Sequence, residues 1–291
     1  MLRKKPLVTI VTPSYNHGQF IEETIRSVFS QDYPETEYII VDGGSRDNTA
    51  EVLRKYSGNK MKWISEPDQG QSEALNKGFR RANGEILGWL NADDTYNPET
   101  ISTVVRHFLN HPGDIMVYGD AYFIDKEGRI MGQYPTEPFN LKGLSEACFI
   151  CQPSVFVRSE VFEKVGVLNE SLHTCMDYDY WIRIARRYSS QSISYLRGEF
   201  LANSRVYGDI KTFRMRETVY QEAMKVVKKH FGYVPWPWVF NYANDVLLKK
   251  KRARNQWLGS LTNLFILPYF TFLLLRNWRG YEYLFRYLRS K

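Results

Sequence analysis

The 291-residue sequence predicts an α/β fold, with a sheet that is parallel in its first half and covered by helices on both faces. Three observations carry this. Short apolar runs alternate with stretches of helical periodicity through the first half of the chain. Each apolar run ends in a polar cluster, which is where ligands bind in open α/β sheets. A hydrophobic content of 43% with 15% aromatics is enough to fill a core, and no low-complexity segment interrupts it.

The elements follow in order. Residues 7–12, LVTIVT, read as a buried strand, and the next stretch puts Ile21, Ile25, Val28 and Phe29 on one face of a helix. A second strand, 38–41, ends at Asp42, after which Gly43-Gly44-Ser45 opens a loop. A third, around 62–65, leads to a helix at 73–82 that Ser72 can cap and Asn83-Gly84 can stop. The fourth, 85–90, runs into Asn91-Ala92-Asp93-Asp94, with a helix starting near Pro98. The part from 113 to 208 reads as mixed, with strands near 115–123, 129–133 and 154–158 and a helix at 178–187. Beyond 212 the pattern is helical and amphipathic, then basic at Lys249 to Arg252, then apolar, so a catalytic domain of 1–212 and a helical extension of 213–291 are expected.

The net charge of +7 is concentrated in that extension: residues 246–291 hold ten Lys or Arg and one Glu, leaving 29 basic and 31 acidic side chains in the rest. A nearly neutral main domain argues against a nucleic-acid groove, and a basic, apolar tail suits a membrane surface. Within it Trp257 to Leu275 is uncharged and approaches the ~20 residues of a bilayer span. Gly259, Ser260, Thr262, Asn263 and Pro268 lower its apolarity, so a re-entrant or in-plane helix fits better than a clean span. Three cysteines and no apolar leader point to a reducing compartment, hence a cytoplasmic protein, peripheral or monotopic at the inner face of the membrane. Cys148 and Cys151 lie in the apolar run CFICQPSVFV, which favours buried thiols over a zinc site with Cys175 and His173.

Carboxylates on a tight loop after an apolar strand suit a hard cation that also grips phosphate oxygens. An isolated Asn91-Ala92-Asp93-Asp94 would equally suit a turn and helix cap. Its company gives it weight, since Asp42, Asp68, Asp93 and Asp94 all follow strand ends. Neither the dinucleotide-binding G-x-G-x-x-G nor the P-loop G-x-x-x-x-G-K-[ST] is present.

VTPSYN at 11–16, VDGGSRDNT at 41–49, EPDQGQSEALNKG at 66–78, LNADD at 90–94 and MDYDYWIR at 176–183 together resemble glycosyltransferase family 2, whose members have the GT-A fold, a Rossmann-type mixed sheet. The resemblance covers about 200 residues, and its specificity lies in the order of five motifs. It implies that Pro13, Tyr15 and Asp42 hold the nucleotide, with Asp68 and Asn76 assisting at the base and diphosphate. The metal motif D-x-D falls on Asn91-Ala92-Asp93, which implies Asp93 as the principal ligand of Mg²⁺ or Mn²⁺, with Asn91 and Asp94 in support. The catalytic base falls on Asp177, where the usual preceding glutamate is Met176, while Asp179 suits the helix dipole. Arg205, Tyr207 and Asp209 match the family poorly and receive no role. The implied activity is inverting transfer of a sugar from a nucleotide-sugar donor to a hydroxyl of a glycan or lipid-linked acceptor in cell-surface polysaccharide assembly.

Two rivals stand beside it. A sugar nucleotidyltransferase would be expected to carry a glycine-rich, basic first loop, and Thr12 to Gln19 has neither Lys nor Arg. A catalytically silent nucleotide-sugar or lipid-binding scaffold draws support from Asn91 and Met176 alone.

Overall fold

A computed structural model of the chain describes residues 5–58, 61–208 and 210–248. Two compact units are distinguished, Met1–Glu222 and Ala223–Lys291. Among the described residues of the first, nine strands form one sheet in the order β3-β2-β1-β4-β8-β6-β9-β5, with β7 beside β6.

β1 (Val8–Ser14), β2 (Thr36–Asp42), β3 (Met61–Ser65) and β4 (Ile86–Trp89) run parallel. Every residue of β1 is buried, as is every residue of β2 after Thr36, because helices cover both faces and no position can be polar-facing. α1 (Ile21–Phe29) buries Ile21, Ile25 and Val28, and α2 (Thr49–Tyr56) buries Val52 and Leu53 in the same core as Val8, Ile10, Tyr38 and Ile40. Each such aliphatic side chain contributes roughly 1.5–3 kcal/mol of transfer free energy. α3 (Gln71–Arg81) lies so close to β1 that a Cβ on Gly78 would come within 2.3 Å of Val11 Cγ1.

Ser72 does not cap α3. The helix begins two residues earlier than expected, after Gly70 at φ 135°, and the Ser72 hydroxyl donates to the carbonyl of Leu172. The flexible glycine makes the sharp entry there, so the serine is free to tie the helix to another segment.

After β4 comes the 91–94 turn, then the two-residue β5 (Thr95–Tyr96) and α4 (Thr100–Asn110). β6 (Met116–Ile124) and β7 (Ile130–Gln133) make a hairpin, followed by α5 (Leu141–Glu146), β8 (Val155–Arg158) and α6 (Glu160–Val165). β8 is antiparallel to both β4 and β6, which makes the sheet mixed. α7 (Met176–Arg187) starts two residues ahead of expectation and so takes Asp177 into its first turn.

β9 (Ile193–Arg205) has no counterpart among the expected strands. Arg197, Gly198 and Glu199 break its apolar alternation, and the structure accommodates them as an irregularity: Leu196 pairs with Gly119, but the next pairing is Phe200 with Asp120. Gly198 takes φ 86°, and its N–H donates to the Asp120 carboxylate at 2.7 Å.

α8 (Lys211–Arg214) and the start of α9 (Arg216–Phe231) complete the first unit. The described part of the second holds the rest of α9, α10 (Trp236–Tyr242) and a π-helical turn, Ala243–Leu248. No helix among the described residues is long and apolar enough to cross a membrane, and the 257–275 segment lies outside them.

Candidate active site

β1 stands between β2 and β4, so the chain leaves it in one direction and returns on the other side. The crevice at the carboxyl ends of these strands is the binding place of an open α/β sheet.

Its first wall is two loops knitted together. Asn16, at φ 56°, accepts the Arg46 N–H at 2.9 Å through Oδ1 and donates its own backbone N–H to Ser45 Oγ at 2.7 Å. Gly18 N–H donates to Asp47 at 2.9 Å, and His17 N–H to Thr49 Oγ1 at 3.1 Å. Pro13 is buried in β1, whereas Tyr15 is 54% exposed and is the part of the loop a flat ligand can reach.

Asp42 departs from expectation. It has no exposed surface, and its carboxylate accepts the Ser45 N–H at 3.0 Å, the Ser65 hydroxyl at 2.6 Å and the Ser45 hydroxyl as well. The turn after β2 folds back on the carboxylate and encloses it. Asp68 is better placed. It accepts the Gly70 N–H at 2.9 Å, lies against Gly43, and is raised above the ordinary carboxyl range by burial. Asn76 is fully buried and faces elsewhere, donating to Leu168 O at 3.0 Å and Glu170 at 2.8 Å and accepting the Leu168 N–H. It holds the 168–170 loop and has nothing left for a diphosphate.

The second wall is the turn after β4, and Asn91 is its hub. Its Oδ1 accepts Trp89 Nε1–H and Gln71 Nε2–H, both at 2.8 Å, and its amide donates to Asp94 Oδ2 and Gln152 Oε1, both at 3.0 Å. An indole N–H only donates, which fixes the orientation of the amide, and these four bonds use its two donors and two lone pairs. Asn91 therefore has no oxygen for a metal. Asp94 does not fit as a ligand either. It is 4% exposed, Oδ1 accepts the Arg205 backbone N–H at 2.9 Å, and Oδ2 takes the Asn91 amide. Burial, and then the neighbouring Asp93, push its carboxyl well above the usual range.

Asp93 is the carboxylate that remains. Oδ2 accepts the Tyr207 hydroxyl at 3.0 Å and lies 4.0 Å from His17 Nε2, while Oδ1 has no hydrogen-bond partner among the described residues. No group of three metal-binding side chains occurs among those residues. A single open carboxylate fits a Mg²⁺ or Mn²⁺ ion held chiefly by ligand phosphates and water.

The other candidate carboxylate lies at the head of α7. Asp177 is partly buried; Oδ1 accepts the Tyr178 N–H at 2.8 Å and Oδ2 has no hydrogen-bond partner among the described residues. Burial pushes its carboxyl up to about 6, against the opposing influence of that hydrogen bond and of Lys211. Lys211 Nζ reaches Gln71 Oε1 at 3.3 Å, which links the head of α7 through Gln71 to Asn91 and the Asp93 turn. Asp179, expected to complement the helix dipole, pairs with Arg183 at 2.8 Å.

Sequence reading missed His17, Gln71, Gln152, Tyr207 and Lys211. Only Tyr207 carried a signal, as an aromatic hydroxyl in a poorly matching stretch. Arg205 builds the site without lining it: its guanidinium donates to the carbonyls of Asp93, Asp125 and Lys126 and to Glu23, and stacks 5.0 Å from the Phe20 ring.

Residues 9–166, more than half of the chain, match Glycosyl transferase family 2. An uncharacterized glycosyltransferase of Rickettsia felis is 33% identical over 197 residues, covering 62% of this chain and 32% of its own length. One from Rickettsia typhi is 32% identical over 216 residues, covering 69% and 64%. The chain thus spans about a third of the first relative and under two thirds of the second. Among solved structures, S. aureus TarS in complex with UDP superposes with a TM-score of 0.60 at 20% identity, covering 77% of this chain and 65% of that one. The mannosyltransferase PcManGT from Pyrobaculum calidifontis, in complex with GDP-Man and Mn²⁺, gives 0.61 at 19% identity over 94% and 83%. These likenesses show the GT-A fold.

Proposed function

The chain belongs to glycosyl transferase family 2, and from that premise we propose that it transfers a sugar from a nucleotide-sugar donor to an acceptor hydroxyl with inversion at the anomeric carbon. The observation that carries this reading is that two carboxylates, Asp93 after β4 and Asp177 at the head of α7, each keep one oxygen without a hydrogen-bond partner among the described residues, with Lys211, Gln71 and Asn91 running from one towards the other. The nucleotide lies over the β1, β2 and β3 loops, with Tyr15 and Asp68 within its reach. The UDP and GDP-Man bound in the similar structures support a nucleoside diphosphate as the handle.

Asp93 is the residue to hold a divalent cation, which when bound neutralises charge on the departing diphosphate. The Tyr207 hydroxyl holds Asp93 Oδ2 at 3.0 Å, which leaves Oδ1 as the oxygen for that ion. His17 Nδ1 accepts the Tyr15 N–H at 3.3 Å, which leaves the proton on Nε2 and makes that edge a donor toward oxyanions. Asp177 Oδ2 takes the proton of the acceptor hydroxyl while its oxygen forms a bond to the anomeric carbon and the bond to phosphate breaks on the opposite face. A carboxyl near 6 is a stronger base than an ordinary aspartate and is still ionised at neutral pH.

The acceptor is a glycan or lipid-linked hydroxyl presented at a membrane, a reading supported by the basic, apolar sequence of the C-terminal extension. Asn91, whose closed network leaves the metal corner a single carboxylate, favours a second reading in which the nucleotide sugar is bound but not turned over. The test is release of nucleoside diphosphate from UDP-GlcNAc and GDP-Man with Mn²⁺. Asp177→Asn is expected to lose about 10²-fold or more in kcat. Nucleotide binding with no turnover by the wild type would instead select the second reading.

A further inference from the structure

The N-cap residue Cys175 makes no side-chain capping bond to α7, its thiol donating instead to Val219 O at 3.4 Å, and Tyr178, where a capping-box glutamate would reach back, sends its hydroxyl to Leu144 O. Glu222, on α9, takes over that duty. Oε1 accepts His173 N–H at 2.8 Å, and Oε2 accepts Thr174 N–H at 2.8 Å, Thr174 Oγ1–H at 2.7 Å and Cys175 N–H at 3.1 Å. One carboxylate thus gathers the last three backbone N–H groups before a helix whose second residue is Asp177. Three consecutive amides on one charged acceptor define both the position and the direction of the helix start.

We propose that Glu222 is the positioning residue of this site, holding the head of α7 so that Asp177 meets the acceptor hydroxyl. This rests on the reading of Asp177 as the base. Glu222 touches no reacting atom, and its effect runs through the 173–175 segment. Displacements of about 1 Å at a reacting group cost on the order of 10²-fold, so loosening this segment should reach kcat while leaving the donor loops, which belong to other elements, as they are.

The experiment uses the full chain and whichever of UDP-GlcNAc or GDP-Man supports turnover. Glu222→Gln keeps the shape but removes the charge and, with its oxygen turned to the three donors of Thr174 and Cys175, sets its N–H₂ against the His173 N–H, and Thr174→Val removes the hydroxyl bond alone. For Glu222→Gln a fall in kcat of roughly tenfold or more is expected, with donor KM within about twofold. Thr174→Val should lose about two- to threefold in the same parameter. Placed on Asp177→Asn, Glu222→Gln should add less than about twofold, because two residues acting as one unit are not additive. Amide exchange at 173–175 should accelerate in Glu222→Gln. Unchanged kcat with faster exchange would overturn the proposal, and so would an equal loss in both backgrounds. If Asp177→Asn itself stays within a few-fold of wild type, the base reading fails, an outcome visible without any Glu222 variant.

Discussion

Asp177 is the residue on which the chemistry turns, and its environment gives it a pH signature. Burial lifts it to about 6, with Lys211 as the opposing cation and Cys148 as the neighbouring thiol. The acid limb of kcat should therefore rise tenfold per pH unit below about 6 and flatten above it, measured from pH 4.5 to 8 with UDP-GlcNAc or GDP-Man. A flat profile across that range would assign proton removal elsewhere. Glu37 illustrates the opposite shift, at the far end of the strands. Burial alone would raise it, but hydrogen bonds from Asn83, Lys62 and Thr9 pull it from 4.5 down to about 2. A lowered folded-state value contributes stability above the unfolded value that is lost as pH falls through the folded one, here on the order of 3 kcal/mol. Denaturant melts of wild type and Glu37→Gln should differ most above pH 5 and converge toward pH 2. At this scale Asp93 and Asp177 keep a carboxylate oxygen with no hydrogen-bond partner among the described residues, unlike Asp42, Asn76, Asn91 and Asp94, for which the sequence also suggested ligand-binding roles. Those four are spent on internal hydrogen bonds, and a residue's type and motif position do not reveal which donors its neighbours will aim at it.

Among the elements, the 91–94 turn shows how a departure from a family motif is absorbed. Asn91 in place of an aspartate brings two donors, and the turn uses both, on Asp94 and Gln152. Restoring the acid by Asn91→Asp would set a carboxylate against Asp94 Oδ2 and leave Gln152 Oε1 without its donor. The unmet polar groups should cost about 2 kcal/mol, lowering Tm by roughly 4–8 °C in metal-free buffer. Added Mn²⁺ should recover part of that loss if the new carboxylate joins Asp93 on the ion. An unchanged Tm would mean that the turn is not held by this network. The parallel strands β1 to β4 and their helices were legible because burial on both faces leaves an unbroken apolar run. β9 was not, since its pairing with β6 is fixed by distant residues, and Arg197, Gly198 and Glu199 occupy an irregularity that sequence periodicity reads as a loop. Glu222 was invisible for the same reason: its partners are 47 to 49 positions away.

For the molecule as a whole, the excess positive charge sits in residues 246–291, all of it in sequence beyond the described residues, while the rest of the chain is close to neutral. If that extension meets the membrane, the full chain should sediment with vesicles containing phosphatidylglycerol and not with purely zwitterionic ones. Each basic residue near the surface contributes about 1 kcal/mol at low salt, so about 0.5 M NaCl should weaken the association. Equal partition to both vesicle types would leave apolar insertion as the dominant force. The central claim, a nucleotide-sugar site at the carboxyl ends of β1 to β4, is tested most directly by calorimetric titration of UDP and GDP into the full chain, with and without Mn²⁺, on wild type and Asp93→Ala. Saturable binding of one nucleotide is expected, strengthening with Mn²⁺ and losing that dependence in Asp93→Ala. Folded protein that binds neither nucleotide, or binding that Asp93→Ala leaves fully metal-dependent, would contradict it.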